Sequence, residues 1–297
     1  TTLVYNTLVV TAIFAVMAYG QDIVLSDLGE VSLAHTAFFA AGAYAAGILA
    51  VDHGWNAWAT LLAAGGAALV LAVVLGLITL RTREFAFSLV TYAANVVCFT
   101  ICYNWTALGG SDGFVGVPPL DLSLPGLTLA PMTNKDLWPY AYGLLLLALY
   151  FVARFRRSKL GHAALMVHMN APLAIMSGLD PLRVRLMVFL VSAPLTAAGG
   201  WLYAYQRAYV GPDLFETYFL VLMLTAVVLV GRRVLLGPLI GVAVLMAQKS
   251  FFSFGAYADK IVLGALLVIV LCGFPGGIVS LVDAGRARAR PRPVVRS

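Results

Sequence analysis

The side chains able to do chemistry are few and widely scattered. The chain offers four histidines, three cysteines and 13 carboxylates over 297 residues. A covalent or acid–base catalyst needs a nucleophile, a base and an orienting group within hydrogen-bond reach, and no run of this sequence gathers such a set. Cys98, Cys102 and Cys272 all lie in apolar runs. They read as small core hydrophobes, which leaves neither a disulfide framework nor a zinc site. The phosphate-cradling pattern G-x-x-x-x-G-K-[ST] is missing, as is HExxH, and no lysine follows a glycine, so ATP finds no site here. Glu30, His35 and Glu84 are the main ionisable groups in or beside the apolar runs. An ion-coupled pump needs a buried carboxylate or relay, and no long run carries one at its centre. The chain is expected to be no enzyme, to bind no metal or cofactor, and to draw any transport energy from elsewhere.

The elements that carry these residues are built for lipid. The composition is 62% hydrophobic and 11% charged, against roughly a quarter charged in a soluble domain. Apolar runs fall near 3–20, 33–51, 57–80, 84–104, 137–154, 184–206, 215–231, 234–252 and 258–282. Each approaches the ~20 residues that cross a bilayer. The expectation is an all-α, polytopic membrane protein, residues 1–297 forming one domain with about 8–10 transmembrane helices. The first run lacks a basic n-region and a small-residue cleavage site, so it reads as a span and not a signal peptide. Thr1 in place of an initiating Met leaves room for an upstream piece.

Charge orients the spans. Arg81, Arg83, Arg154, Arg156, Arg157, Lys159, Arg183, Arg185, Arg232, Arg233, Arg286, Arg288, Arg290, Arg292 and Arg296 fall on one side if the spans alternate, which is 15 of the 19 basic residues. Lys135, Arg207, Lys249 and Lys260 fall on the other. Positive loops stay inside, so residues 155–182 and the tail 284–297 are expected to be cytoplasmic. The tail reads as an orientation anchor with some affinity for lipid headgroups, not as a nucleic-acid arm. Loop 105–136 is then external. Its Gly109, Gly110, Ser111, Asp112 and Gly113 have the composition of a tight turn, with Asp112 either a turn residue or a contact for a partner, and "LTLAPM" follows as a strand-prone stretch. One loop does not fit: 21–31 should be cytoplasmic, yet it holds Asp22, Asp27 and Glu30 and no base. A broken or re-entrant segment near 26–38 is expected there, with Ser26 or Asp27 capping a short piece and Ser32 opening the next helix. Such breaks are tolerated where they line a protein-enclosed cavity.

Three stripes of small residues, "AAGAYAAGILA", "LLAAGGAALVLAV" and "SAPLTAAGGWLYA", predict close helix packing in lipid. Outside the spans, "NAPLAIMSGLDP" (Asn170–Pro181) predicts a two-turn helix, with Asn170 as N-cap, Pro172 in the first turn and Gly178 as the stop. Met166, Met169, Leu173 and Met176 make an apolar stripe at 3-4-3 spacing. Such a stripe either docks in a partner's groove or lies on the bilayer surface.

Several segments together resemble one family, the permease subunits of branched-chain amino acid ABC importers with their urea and amide relatives. "GEVSLAHTAFFAAGAYAAGIL" (Gly29–Leu49) is similar to the family's glycine–x–serine–leucine–glycine–histidine stretch, with Ala34 in place of a glycine. "LGGSDGFVGVPP" (Leu108–Pro119), Ser158–Ala204, "GPLIGVAVL" and "CGFPGGIVSLV" resemble its later segments in order. "HMN" stands where relatives carry acidic residues, "GRRVLLGP" replaces a glycine-rich turn, and "FPGG" lacks an arginine.

The resemblance implies a transport subunit of the prokaryotic plasma (inner) membrane, with ATP and Mg held by two separate ABC ATPase subunits. A second, homologous permease would complete a heterodimer, and an external binding protein would deliver a small neutral or zwitterionic solute such as a branched-chain amino acid. Loop 155–182 becomes the coupling loop, meeting the ATPase through Met166, Met169, Asn170, Ala171, Leu173, Ala174, Met176 and Gly178. Ser32, His35, Phe38, Phe39 and Tyr44 become candidate pathway residues, with packing an equal role for His35. The alternatives are a sugar-type ABC permease or, from another class, a secondary transporter or membrane-embedded enzyme using Glu30, His35 and Asp112.

Overall fold

In the computed structural model the described residues are 2–79, 82, 84–123, 131, 133–251, 256–273 and 277. Helix α1 (Thr2–Asp22) is apolar on every side and, from Val9 onward, correspondingly enclosed, with Ile13, Met17 and Tyr19 fully buried. It runs on as a π-helical turn, Ile23–Leu28, and stops at Gly29 with φ 73°. Irregular chain follows to Ala34, and α2 (His35–Asp52) then begins. Helices α3 (Ala57–Thr79), α4 (Glu84–Asn104) and α5 (Asn134–Arg156) come next. Two short helices, α6 (Lys159–Met169) and α7 (Ala171–Met176), precede the long α8 (Pro181–Arg207). The last three are α9 (Thr217–Val230), α10 (Gly237–Phe251) and α11 (Ala256–Gly273).

Each of the nine apolar runs carries a helix, so the fold is an all-α polytopic bundle. Among the described residues five stretches are long and apolar enough to cross a membrane: Val4–Leu28, Ala57–Ile78, Phe85–Asn104, Lys135–Arg156 and Pro181–Arg207. Helices α9 and α10, at 14 and 15 residues, fall short of the usual ~20. They form a hairpin packed against α1. Helices α2, α5, α8, α9 and α10 surround α1, while α3 lies on α2 and α8. Leu62, Val70, Phe85, Leu89, Leu146 and Leu147 point away from the core, as lipid-facing side chains do.

Small residues set the tightest contacts. A methyl added at Gly200 would run into the Phe39 carbonyl, and one at Gly42 into the Ala197 carbonyl, so α2 and α8 meet backbone to backbone. On α3 the alanines Ala64, Ala68 and Ala72 pack inward, while Gly66 faces open space. The stripe on α3 is thus half packing surface and half lipid face.

The two ends differ in chemistry. Arg156, Arg185 and Arg233 gather at one end, where α1 breaks. At the opposite end Trp55, Trp58, Trp105 and Trp138 are all exposed, the placement of a membrane-interface belt. There Gly109 (φ 82°), Gly110 (φ 55°) and Gly113 (φ 68°) shape two 3₁₀ turns around Asp112. The turns lead into β1 (Phe114–Val115), which pairs antiparallel with β2 (Tyr209–Val210). A Cβ at Gly113 would strike the Val210 carbonyl, so this loop is fastened to the chain leaving α8. Most of "LTLAPM", Arg81, Arg83, most of "CGFPGGIVSLV" and the tail 284–297 lie outside the described residues.

Candidate functional site

The acidic loop that fits poorly in a positive-inside reading is neutralised by distant bases. Asp22 and Asp27 are fully buried. Arg156, in the last turn of α5, donates through Nη2 to Asp22 Oδ2 at 2.6 Å and through Nε to Asp27 Oδ2 at 3.4 Å. Arg233, in the turn between α9 and α10, sets Nε 3.4 Å from Asp27 Oδ1. Glu30 pairs with Arg185, whose Nη2 also donates to the Thr82 carbonyl at 2.9 Å. Three acids meet three bases, which is how charge is tolerated where water is scarce. Ser26 and Asp27 do not cap a helix, because both lie inside the π-helical turn, where Ser26 Oγ donates to Asp22. Nor does Ser32 open α2. The N-cap position is Ala34, and Ser32 Oγ bonds to His35 Nδ1 at 3.1 Å.

Next to this cluster α6 and α7 project from the bundle. Ser158 caps α6 by accepting from Gly161 N at 3.1 Å, and Asn170 caps α7 by accepting from Leu173 N at 3.0 Å. Gly178, at φ 81°, ends α7 in the left-handed region, and Leu179 N donates back to the Ala174 carbonyl at 3.0 Å. Met166 is 41% exposed, Met169 77%, Leu173 57% and Met176 86%. Ile175, at 56%, joins them, whereas Ala174 is buried against the bundle. The stripe therefore spans two helices that bend at Asn170, and Ala174 anchors it rather than belonging to its outer surface.

The candidate pathway residues lie inside this chain. Ser32, His35, Phe38 and Phe39 are completely enclosed, and Tyr44 nearly so. His35 Nε2 bonds to Ser192 Oγ at 3.1 Å, pinning α2 to α8, while Phe38 and Phe189 meet the imidazole edge-on. Among the described residues none of these five lines the charged cleft beside α1.

That cleft, ≈ 840 Å³, opens at the tryptophan end between α1, α8, α9, α10 and α11. Val10, Phe14, Phe219 and Met246 contribute apolar lining, and Arg207, Lys249, Lys260, Asp213, Glu216 and Asp259 contribute charge. Arg207 pairs with Asp213 at 2.6 Å and stacks on both Tyr203 and Tyr209, while Lys260 pairs with Glu216 at 2.9 Å. Lys249 lies 5.0 Å from the Tyr218 ring centre. Three cations against three carboxylates give a cleft that is charged in detail and neutral overall. A sequence signal for it existed: three of the four bases outside the majority side, Arg207, Lys249 and Lys260, line it.

An all-helical bundle with five stretches long enough to span, among the described residues, has the architecture of a multi-pass membrane protein. The model of one family, described as branched-chain amino acid transport system / permease component, matches residues 3–271. The chain belongs to that family, a family of ABC transport permeases, and is itself a transport component rather than a catalytic one. Among curated proteins it is similar to the high-affinity branched-chain amino acid transport system permease protein LivM of Salmonella typhimurium, 25% identical over 294 residues, covering 91% of this chain and 68% of that one. LivM of Escherichia coli K12 is likewise 25% identical over 293 residues, with the same coverage. No solved structure matches.

Proposed function

We propose that this chain is the permease subunit of an ATP-driven importer for a small zwitterionic solute, a branched-chain or similar hydrophobic amino acid. The basic end and the C-terminus face the cytoplasm of a prokaryotic cell, in the inner membrane. There α6–α7 seats in one of two ABC ATPase subunits, which hold the ATP and Mg. A second, homologous permease completes a heterodimer, and an external binding protein delivers the solute to the tryptophan end. The observation that carries this reading is the outward-facing row Met169, Leu173, Ile175 and Met176 on a projection beyond the spans. A row of this kind is suited to a partner's groove, and methionine adapts to a partner that moves. The cleft supports the solute class. Its balanced charges can trade partners with an ammonium and a carboxylate, and its aromatic and aliphatic lining suits an apolar side chain.

The test places Leu173→Glu in the reconstituted transporter, reading ATPase recovery on the purified permease and uptake of L-leucine into proteoliposomes. A charge buried in a docked groove costs several kcal/mol, so ATPase recovery is expected to collapse. Full recovery with normal uptake overturns the docking and leaves a helix lying on the bilayer. The family resemblance supports leucine as the probe; a binding protein loaded with a sugar would redirect it.

A further inference from the structure

We propose that Asp22, Asp27, Arg156 and Arg233 form a switchable latch that carries movement of α6–α7 to the break between α1 and α2. The proposal rests on α6–α7 being the element moved by the ATPase.

The lever arm is short and stiff. Arg156 is in the last turn of α5, Ser158 caps α6 two residues on, and Gly161 is backed against the Phe155 carbonyl so closely that a Cβ would not fit. Displacing α6 therefore drags the Arg156 guanidinium with it. His168, at the other end of α6, packs on Gly29, where a Cβ would strike the imidazole ring. The break is thus contacted from both ends of α6, by Arg156 just before it and by His168 within it.

The pairing is uneven, which leaves it a second arrangement. Arg156 holds Asp22 at 2.6 Å but Asp27 at 3.4 Å. Arg233 reaches Asp27 Oδ1 at 3.4 Å without hydrogen-bond alignment, so among the described residues that buried oxygen has no donor. A shift of Arg156 toward Asp27, or of Arg233 inward, would re-pair the same four groups and keep the buried charges balanced. Both carboxylates border or occupy a π-helical turn, an over-wide turn that recurs at functional sites. Gly29 lies immediately after it, in the left-handed region. Re-pairing would rotate that turn and move residues 29–34, whose Ser32 bonds His35, the residue that ties α2 to Ser192 of α8. Bistable packing of this kind is how small displacements become large ones. The neighbouring charges, Glu30 with Arg185, are paired with each other and can hold the flank while the latch changes.

The experiment uses the whole reconstituted transporter, with L-leucine as probe and Cys98, Cys102 and Cys272 replaced by alanine. Arg233 N lies 3.1 Å from Ser26 Oγ, which brings the two backbones within disulfide reach. In the Ser26→Cys/Arg233→Cys pair, which already lacks the Arg233 charge, oxidation is expected to cut uptake roughly tenfold below that of the reduced pair, and dithiothreitol to return it to the reduced pair's level. A verified cross-link with unchanged uptake overturns the latch, as does failure to cross-link, since that removes the adjacency. Asp27→Asn should lower leucine carried per ATP by a similar factor with ATPase recovery intact; wild-type coupling in an assembled Asp27→Asn transporter also overturns it. If Asp27→Asn does not assemble, the cross-link decides. Lost ATPase recovery marks failure of docking, whereas a latch defect leaves recovery whole.

Discussion

The α2–α8 crossing can be tested by adding one methyl group. Gly200 on α8 faces the Phe39 carbonyl of α2, and the next nearest neighbour is the Ala43 backbone nitrogen at 3.2 Å. A backbone carbonyl in a helix cannot rotate aside, so Gly200→Ala has to push the two helices apart. Phe38, Phe39 and Trp201 lie buried around the contact and would lose packing in the process. Overpacking of a well-filled core costs about 1–3 kcal/mol, and a backbone obstacle puts this site at the upper end. The matching control is Gly66→Ala on α3, also inside a helix, where a Cβ meets nothing within 4 Å. Alanine gains about 1 kcal/mol of helix propensity over glycine. The gain applies at both sites and drops out of the difference, which leaves about 3 kcal/mol between the two variants. The assay is reversible unfolding of purified permease by sodium dodecyl sulfate in mixed micelles, following loss of helix signal. Gly200→Ala should unfold at clearly lower denaturant fraction, with Gly66→Ala at or above wild type. Matching midpoints for the two would mean that α2 and α8 are not in backbone contact.

Two further outcomes follow from the ends of the bundle. In a background without native cysteines, Arg157→Cys and Ser111→Cys should react with an impermeant thiol reagent from opposite sides of the membrane, Ser111→Cys from outside; labelling from one side for both sinks the topology. In the cleft, Lys249→Gln removes the cation that stacks on Tyr218 and leaves two cations against three carboxylates. It should raise the concentration for half-maximal leucine uptake several-fold, about 1 kcal/mol for a partly exposed charge contact, with ATPase recovery unchanged; an unaltered uptake curve removes the cleft from the solute path.

What could be read from the sequence is what is settled within a few residues. Asn170 caps α7 and Gly178 ends it because both events need only the chain's own next turn. The small-residue stripes announce close packing, but not against what. Gly42 and Gly200 meet the facing helix while Gly66 faces outward, a distinction made by rotation about an axis and not by composition. The acids at 22–30 show the limit most clearly. Counted alone they contradict the charge rule for their loop, and a re-entrant segment is the natural local remedy. The break is there, over residues 29–34, but the charge is balanced by tertiary partners: Arg156 and Arg233, 134 residues and 206 residues beyond Asp22 and Asp27, and Arg185 beside Glu30. The rule that bases stay on one side was counting the partners of those acids all along. The same reasoning accounts for His35. From its own helix alone His35 reads equally as a packing or a pathway group, and the partner that holds its imidazole, Ser192, lies 157 residues away. Minority charges are the better guide to an open site, because a base kept against the orienting rule has to be held by something. Arg207, Lys249 and Lys260 are held by the cleft.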